Sequence, residues 1–299
     1  MGKIGFIGLG VMGKPMSKNL LKAGYQLVVY DLYQPAVQEL VSMGAEAAGS
    51  PGEVAEQCDK IITMLPNSPH VRQALLGENG VIERAKPGTI IIDTSSIAPM
   101  AAREIAAKLA EKQIGMLDAP VSGGQAGAEK ATLSIMVGGD KNVFEECEPI
   151  LKAVGSAVVW VGAIGAGNVV KLANQAIVAI NIAGIAEAMT LAVKAGVDPE
   201  VVFQAIRGGS AASRMLEAKA PLMLGQKFDP GFRLNLHIKD LGNVLETGHD
   251  VGAPLPLSAT IMEMMQNLKA DQWGDCDNSV LVKYYEKLAG AKVTGHCDK

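Results

Sequence analysis

Aromatic side chains are scarce in this sequence, 4% of 299 residues, which leaves little for stacking bases and argues against a single-stranded nucleic-acid platform. No run of Lys or Arg stands out and the formal net charge is −4, so the basic footprint needed for a phosphate backbone is missing. The four cysteines, Cys58, Cys147, Cys276 and Cys297, stand far apart with no C-x-x-C, which reads as reduced thiols of a cytoplasmic protein. His70, His249 and His296 have no partner pattern, and no His/Cys/Asp/Glu spacing resembles a metal site. A G-x-S-x-G nucleophile elbow is absent too. The chain starts almost directly with a strand-like run and no leader pattern. Segment 176–186 is apolar enough to resemble a membrane helix. Asn174, Gln175 and Asn181 interrupt its neighbourhood and Lys194 and Asp198 follow, so a buried core helix is expected.

What the chain has in quantity is small and aliphatic: 48% hydrophobic residues, 34 Gly and 14 Met, against 19% charged. That composition supports a sizeable core with close helix–sheet approach. From residue 3 to about 162, short apolar runs alternate with amphipathic stretches. The runs are Lys3–Ile7, Leu27–Tyr30, Ile61–Leu65, Thr89–Asp93, Met116–Ala119, Leu133–Val137 and Val158–Val161. Repeated strand–helix–strand predicts a mostly parallel, doubly wound α/β sheet. Beyond about 163 the strand signal stops and helical segments follow near 165–195, 199–207, 235–249, 255–269 and 278–289. The expected division is a Rossmann domain over 1–163 and an all-α domain over 164–299.

Three segments carry chemistry. Gly8-Leu9-Gly10-Val11-Met12-Gly13 follows a strand and opens a helix. The first Gly suits a tight turn, the second lets backbone approach a pyrophosphate, and the third lets helix pack on strand. The helix N-terminus offers N–H groups and a positive dipole end. Asp31 ends the next strand, where an acid accepts hydrogen bonds from the adenosine ribose; Leu32 and Tyr33 bring no charge to welcome a 2′-phosphate. NAD is therefore expected over NADP. The plain alternative is an ordinary glycine turn with an unrelated acid. The second segment is Asp118-Ala119-Pro120-Val121-Ser122-Gly123-Gly124. Leaving a strand end, it can present N–H groups and a hydroxyl to a carboxylate, or be a simple loop. In the third, Gly165 to Asn174, Lys171 is the only charge between Gly162 and Ala186. Asn168, Lys171 and Asn174 fall on one helical face. A lone Lys among Val, Leu and Ala suits a proton donor to a developing alkoxide, against the commoner case of a solvated structural Lys. His237-Ile238-Lys239-Asp240 lies in a helical pattern, where charges on the outer face need no function.

Taken together, G-x-G-x-x-G, D-A-P-V-S-G-G, G-A-G-N-x-x-K-x-x-N and the later K-D resemble the β-hydroxyacid dehydrogenase family, related to 3-hydroxyisobutyrate dehydrogenase, over nearly the whole chain. The resemblance implies that Lys171 is the general acid/base, that Ser122, Gly123 and Gly124 hold the substrate carboxylate, and that Asn174 orients the substrate. It implies that Gly8, Gly10, Val11, Met12, Gly13, Asp31, Leu65, Pro66, Ser96 and Lys239 bind the cofactor NAD. Gln175 stands where many members have a second Asn. The stretches from Met64 to Val71, Leu236 to Leu241 and Val251 to Leu257 look most like the branch acting on tartronate semialdehyde. That implies its NADH-dependent, reversible reduction to D-glycerate by a homo-oligomer; charge, composition and residue spacing add the expectation of no nucleic-acid, membrane or metal partner. The alternatives are 3-hydroxyisobutyrate or another short semialdehyde as substrate, and, in a different class, a non-catalytic NAD-binding sensor.

Overall fold

The computed structural model describes residues 2–295; His296 and Cys297 lie outside them. Nine strands form one sheet: β1 Ile4–Ile7, β2 Leu27–Tyr30, β3 Glu46–Ala47, β4 Lys60–Thr63, β5 Ile90–Asp93, β6 Gly115–Asp118, β7 Val121–Ser122, β8 Leu133–Gly138 and β9 Gly155–Gly162. Their order is β3-β2-β1-β4-β5-β6-β8-β7, with β9 also paired to β8. Pairings from β3 through β6 are parallel, and the chain turns antiparallel only where β8 meets β6 and β7. This is the Rossmann-like arrangement, with order reversing between β1 and β4.

Consecutive residues of the same strand enter opposite cores. Phe6, Val29, Ile62 and Ile92 pack on one face, while Ile7, Val28, Ile61 and Ile91 pack on the other. Near-continuous apolar strands are what a parallel sheet covered on both sides requires. Among the covering helices are α1 Gly13–Lys22 and α2 Gln34–Ser42, with α3 Pro51–Gln57, α4 Ser68–Leu76, α5 Val81–Arg84, α6 Pro99–Ala110, α7 Gly124–Glu129 and α8 Lys141–Lys152 completing the unit. Several start on a side-chain cap, as when Asp140 accepts from Asn142 and Val143 N–H.

The second unit is helical: most of α9 Ala166–Lys194, then α10 Pro199–Ile206, α11 Arg214–Leu224, α12 Leu234–Asp250, α13 Pro256–Ala270 and, after a 3-10 turn Asn278–Leu281, α14 Val282–Ala289. Helix α9 is long and apolar enough to cross a membrane by length and composition. Ala179, Ile182, Ala183, Ala186 and Met189 on it belong to the core of the second unit with Phe203, Leu241 and Met265. Asp198 caps α10 through Glu200 N–H, with Pro199 at its first position.

The two units divide between Lys171 and Leu172, later than the composition change near 163. The reason is local. The amino end of α9 is hydrogen-bonded into the sheet unit by Asp118 and Ile97, so its first turns fold with the strands and the rest with the helices.

Candidate active site

The register of the parallel strands brings five chain positions to one level. Tyr30, Ile7, Thr63, Asp93 and Asp118 are paired successively across β2, β1, β4, β5 and β6. Each is the last residue of its strand. The segments leaving this carboxyl edge are those singled out by motif. Ligands of open α/β sheets bind along such an edge.

At β1 the three glycines divide their work as the fingerprint requires. Gly8 has φ of +97°, and a Cβ there would strike the Met64 carbonyl; a Cβ on Gly13 would strike the Gly8 carbonyl and Phe6. Around Gly10 a Cβ would meet nothing within 4 Å. Tight turn and tight packing therefore flank an open position where a pyrophosphate can approach the backbone, and Val11 and Met12 lead from it into α1. No acid occupies the first turn of α1, which keeps its dipole available to phosphate. Asp31 Oδ2 accepts from Leu9 N–H at 2.5 Å, and Oδ1 accepts from Tyr33 N–H at 2.6 Å. The expected ribose acid is thereby tied to the glycine loop. These features fit a dinucleotide.

At β4 and β5 lies a buried network. Thr63 Oγ1 donates to Asp93 Oδ1 at 2.7 Å, and Ser95 N–H donates to the same oxygen at 3.1 Å. Ser95 Oγ in turn accepts from Leu65 N–H at 2.8 Å. The Leu65-Pro66 and Ser95-Ser96 turns are thus locked to each other. Burial pushes the Asp93 carboxyl up to about 6, against the opposing pull of its hydrogen bonds. Its second oxygen is buried without a hydrogen-bond partner.

At β6, Asp118 grips the helix that carries Lys171. It accepts from Gly165 N–H at 2.7 Å, Asn168 N–H at 2.7 Å and Asn168 Nδ2 at 3.2 Å. Asn168 Oδ1 accepts from Ile97 N–H at 3.0 Å, so one buried amide joins the Ser96 turn to the end of β6. Burial again outweighs those bonds and lifts the Asp118 carboxyl to about 6. Gly167 is needed here because a Cβ would press on the Asp118 and Met136 carbonyls. One turn beyond Asn168, Lys171 is 7% exposed. Ser122 ends β7, and Gly123 and Gly124 follow at φ of +140° and +63°, a backbone that turns successive N–H groups.

In the second unit, Asn174 Nδ2 donates to Gln175 Oε1 at 2.8 Å, and Gln175 Nε2 donates to Asp240 Oδ2 at 2.6 Å. The Lys239 ammonium lies 2.7 Å from Asp240 Oδ1, pairing by charge without directed hydrogen-bond geometry. His237 is fully buried, with Nε2 3.3 Å from the Gln175 carbonyl and Nδ1 3.0 Å from Asn278 Nδ2.

The motif residues Gly8, Gly10, Gly13, Asp31, Leu65, Pro66, Ser96, Ser122, Gly123, Gly124 and Lys171 all belong to the sheet unit; Asn174 and Lys239 belong to the helical one. Sequence reasoning passed over Asp93 and the supporting roles of Asp118, Asn168, Gln175 and Asp240. An acid closing an all-isoleucine strand, as in Ile90-Ile91-Ile92-Asp93, is the one signal that points to the first of these.

Residues 3–162 match the family described as the NAD binding domain of 6-phosphogluconate dehydrogenase. Residues 165–285 match that described as the NAD-binding domain of NADP-dependent 3-hydroxyisobutyrate dehydrogenase. The 2-hydroxy-3-oxopropionate reductase of Escherichia coli (strain K12) is 43% identical over 97% of this chain and 99% of its own. The NAD-dependent L-serine dehydrogenase of Pseudomonas aeruginosa is 38% identical over 97% and 100%. Among solved structures, the 3-hydroxyisobutyrate dehydrogenase of Mycobacterium tuberculosis with L-serine superposes with a TM-score of 0.88 at 34% identity, covering 95% of this chain and 99% of that one.

Proposed function

The chain belongs to the β-hydroxyacid dehydrogenase family of NAD(P)-dependent oxidoreductases, and from that premise we propose that it reduces tartronate semialdehyde to D-glycerate with NADH. The observation that carries the chemistry is Lys171, a buried lysine on a helix end clamped by Asp118 and Asn168. The choice of substrate is supported by the Escherichia coli relative, similar from end to end and named for that reaction; 2-hydroxy-3-oxopropionate is tartronate semialdehyde.

In this reading the glycine turn and Asp31 hold the dinucleotide. A nicotinamide bound there would supply the hydride that the aldehyde carbon takes up. Ser122 Oγ and the Gly123-Gly124 N–H groups fix the carboxylate. Lys171, as an ammonium, gives a proton to the aldehyde oxygen as negative charge gathers there, then regains one from solvent; in the reverse direction it takes the proton from the alcohol. Leu65, Pro66, Ser96 and Lys239 are assigned to bind the cofactor, and Asn174 to orient the substrate. The carboxyl network of Asp93 and Ser95 holds the Leu65 and Ser96 turns in place, which limits the motion of whatever they touch. NADH is favoured over NADPH because Asp31 repels a 2′-phosphate. The reading includes a homo-oligomer, for which the exposure of apolar Ile177 and Leu191 on α9, 59% and 70%, offers a surface; it also includes a cytoplasmic location and no nucleic-acid, membrane or metal partner.

A panel of tartronate semialdehyde, methylmalonate semialdehyde, succinic semialdehyde and glycolaldehyde with each reduced nicotinamide tests it. Highest kcat/KM is expected for tartronate semialdehyde with NADH, and little turnover for glycolaldehyde, which has no carboxylate. Equal rates on glycolaldehyde contradict the carboxylate assignment, and no turnover on any aldehyde returns the chain to an NAD-binding sensor.

A further inference from the structure

Hydrogen-bond polarity in the helical unit can be followed from one end. Asp240 is 2% exposed and sits against the Lys239 ammonium. A carboxylate has no N–H or O–H to give, so it only accepts. The group facing its Oδ2 at 2.6 Å must therefore be the amide nitrogen of Gln175. Gln175 is itself 4% exposed, and turning its amide would set oxygen against oxygen. With its nitrogen committed, Gln175 meets Asn174 with Oε1 and can only accept there, which fixes Asn174 Nδ2 as the donor at 2.8 Å. His237 beneath holds the same turn of α9 by the Gln175 carbonyl. One ionised group thus orients two amides in succession, and the end of Asn174 that Gln175 does not engage is its carbonyl oxygen, Nδ2 keeping one further N–H.

We propose that Asp240 and Gln175 act as positioning residues that make Asn174 meet the substrate through its carbonyl oxygen, selecting acids whose carbon next to the carboxylate carries a hydrogen-bond donor, hydroxyl or ammonium. The proposal rests on the reading that Asn174 orients the substrate. It sorts three-carbon 3-hydroxy acids by their second substituent. A 2-hydroxyl donates to Asn174 Oδ1. A 2-ammonium, which can only donate, is matched as well. A 2-methyl gains nothing and strips Oδ1 of water, a cost of the kind carried by any buried acceptor left unmet. A second Asn at position 175 would be one methylene shorter than Gln175. The longer residue is what spans from Asn174 to Asp240.

The variants follow from the same logic. Asp240→Asn keeps its one oxygen for the Lys239 ammonium and turns an N–H toward Gln175. Gln175 then flips, Asn174 flips after it, and an N–H faces the substrate. Gln175→Glu sets two carboxylates against each other. The double variant Asp240→Asn/Gln175→Glu restores a donor at 240 and an acceptor facing Asn174, so the original polarity returns.

The test uses the full chain with NAD⁺, at a pH well above the carboxylate range, on racemic glycerate, serine and 3-hydroxyisobutyrate. Asp240→Asn is expected to lower kcat/KM for serine about tenfold or more relative to 3-hydroxyisobutyrate, as one lost hydrogen bond to a charged group predicts. Glycerate, whose hydroxyl can turn to accept, falls less. The double variant returns the serine to 3-hydroxyisobutyrate ratio to that of the unmodified chain. Equal losses on all three acids, or a ratio the double variant does not recover, overturn the proposal. Thermal melting reads the amide chain without substrate: Gln175→Glu melts lower, and adding Asp240→Asn recovers the loss. A double variant melting no higher than Gln175→Glu overturns the chain itself. If the unmodified protein oxidises none of the three acids, the substrate claim falls with the reading beneath it, while melting still judges the amide chain.

Discussion

Asp93 and Asp118 stand side by side, the closing residues of neighbouring parallel strands paired in register, and both are fully buried. Each carboxyl is raised to about 6, first by burial, and for Asp93 also by its charged neighbour. Because the folded-state value lies above the unfolded one, the fold keeps a proton that the open chain gives up. Stability from this source is fully present below about pH 4, falls as pH rises to about 6, and is flat beyond; for Asp93 the span is about 3 kcal/mol.

Asp93→Asn removes that dependence at one site. Its denaturant midpoint relative to the unmodified chain should rise between about pH 4 and 6 and then hold level, the slope from Asp118 remaining in both proteins. A difference independent of pH would show that Asp93 titrates as an ordinary acid.

Asn168 ties two strand ends together through a single amide. Asn168→Ala strands the Ile97 N–H and removes one donor from Asp118, costing about 1–3 kcal/mol of folding stability. Urea unfolding measures this. A change below about 0.5 kcal/mol, the usual range for an uninvolved surface site, is incompatible with the bridging role.

Asp31 is tied to the glycine loop through Leu9 N–H, and the proposed reading has it accept from the adenosine ribose. The unmodified chain should use NADH well ahead of NADPH. Asp31→Ala should lower kcat/KM for NADH about ten- to hundredfold, the worth of hydrogen bonds to a charged group, and affect NADPH far less. Equal efficiency with both cofactors before mutation contradicts the assignment.

Much of the architecture was legible because parallel strands buried on both faces must be continuously apolar: Ile61, Ile62 and the run Ile90-Ile91-Ile92 read as strands without help. Two-residue strands such as Glu46–Ala47 and Val121–Ser122 carry no periodicity and leave no mark in the sequence. Helix Arg214–Leu224 was also missed: Pro221 lies inside it and Gly208-Gly209 precede it, both signals that normally mark a break. The glycine turn, Asp31 and Lys171 were visible as motifs because each function is local in sequence. Asp93, Asp118, Asn168 and Asp240 matter through partners 30 to 71 residues away. Strand register and helix packing create those meetings, and neither is written in any short window of the chain.

Lys171 carries the central claim, because an aldehyde accepting hydride needs a proton at its oxygen and this lysine is the acid assigned to give it. Steady-state turnover of Lys171→Ala and Lys171→Arg, beside NADH binding followed by fluorescence, tests it most directly. Both variants should bind NADH as the unmodified chain does, since the glycine turn and Asp31 are untouched. Turnover of Lys171→Ala should fall by about 10²–10⁴-fold, the usual worth of positioned acid catalysis. Lys171→Arg should not recover it, because a guanidinium keeps its charge and gives up no proton. Retention of more than about a tenth of the original turnover by Lys171→Ala, far short of that loss, would contradict the account and move the search for the proton donor to Lys239.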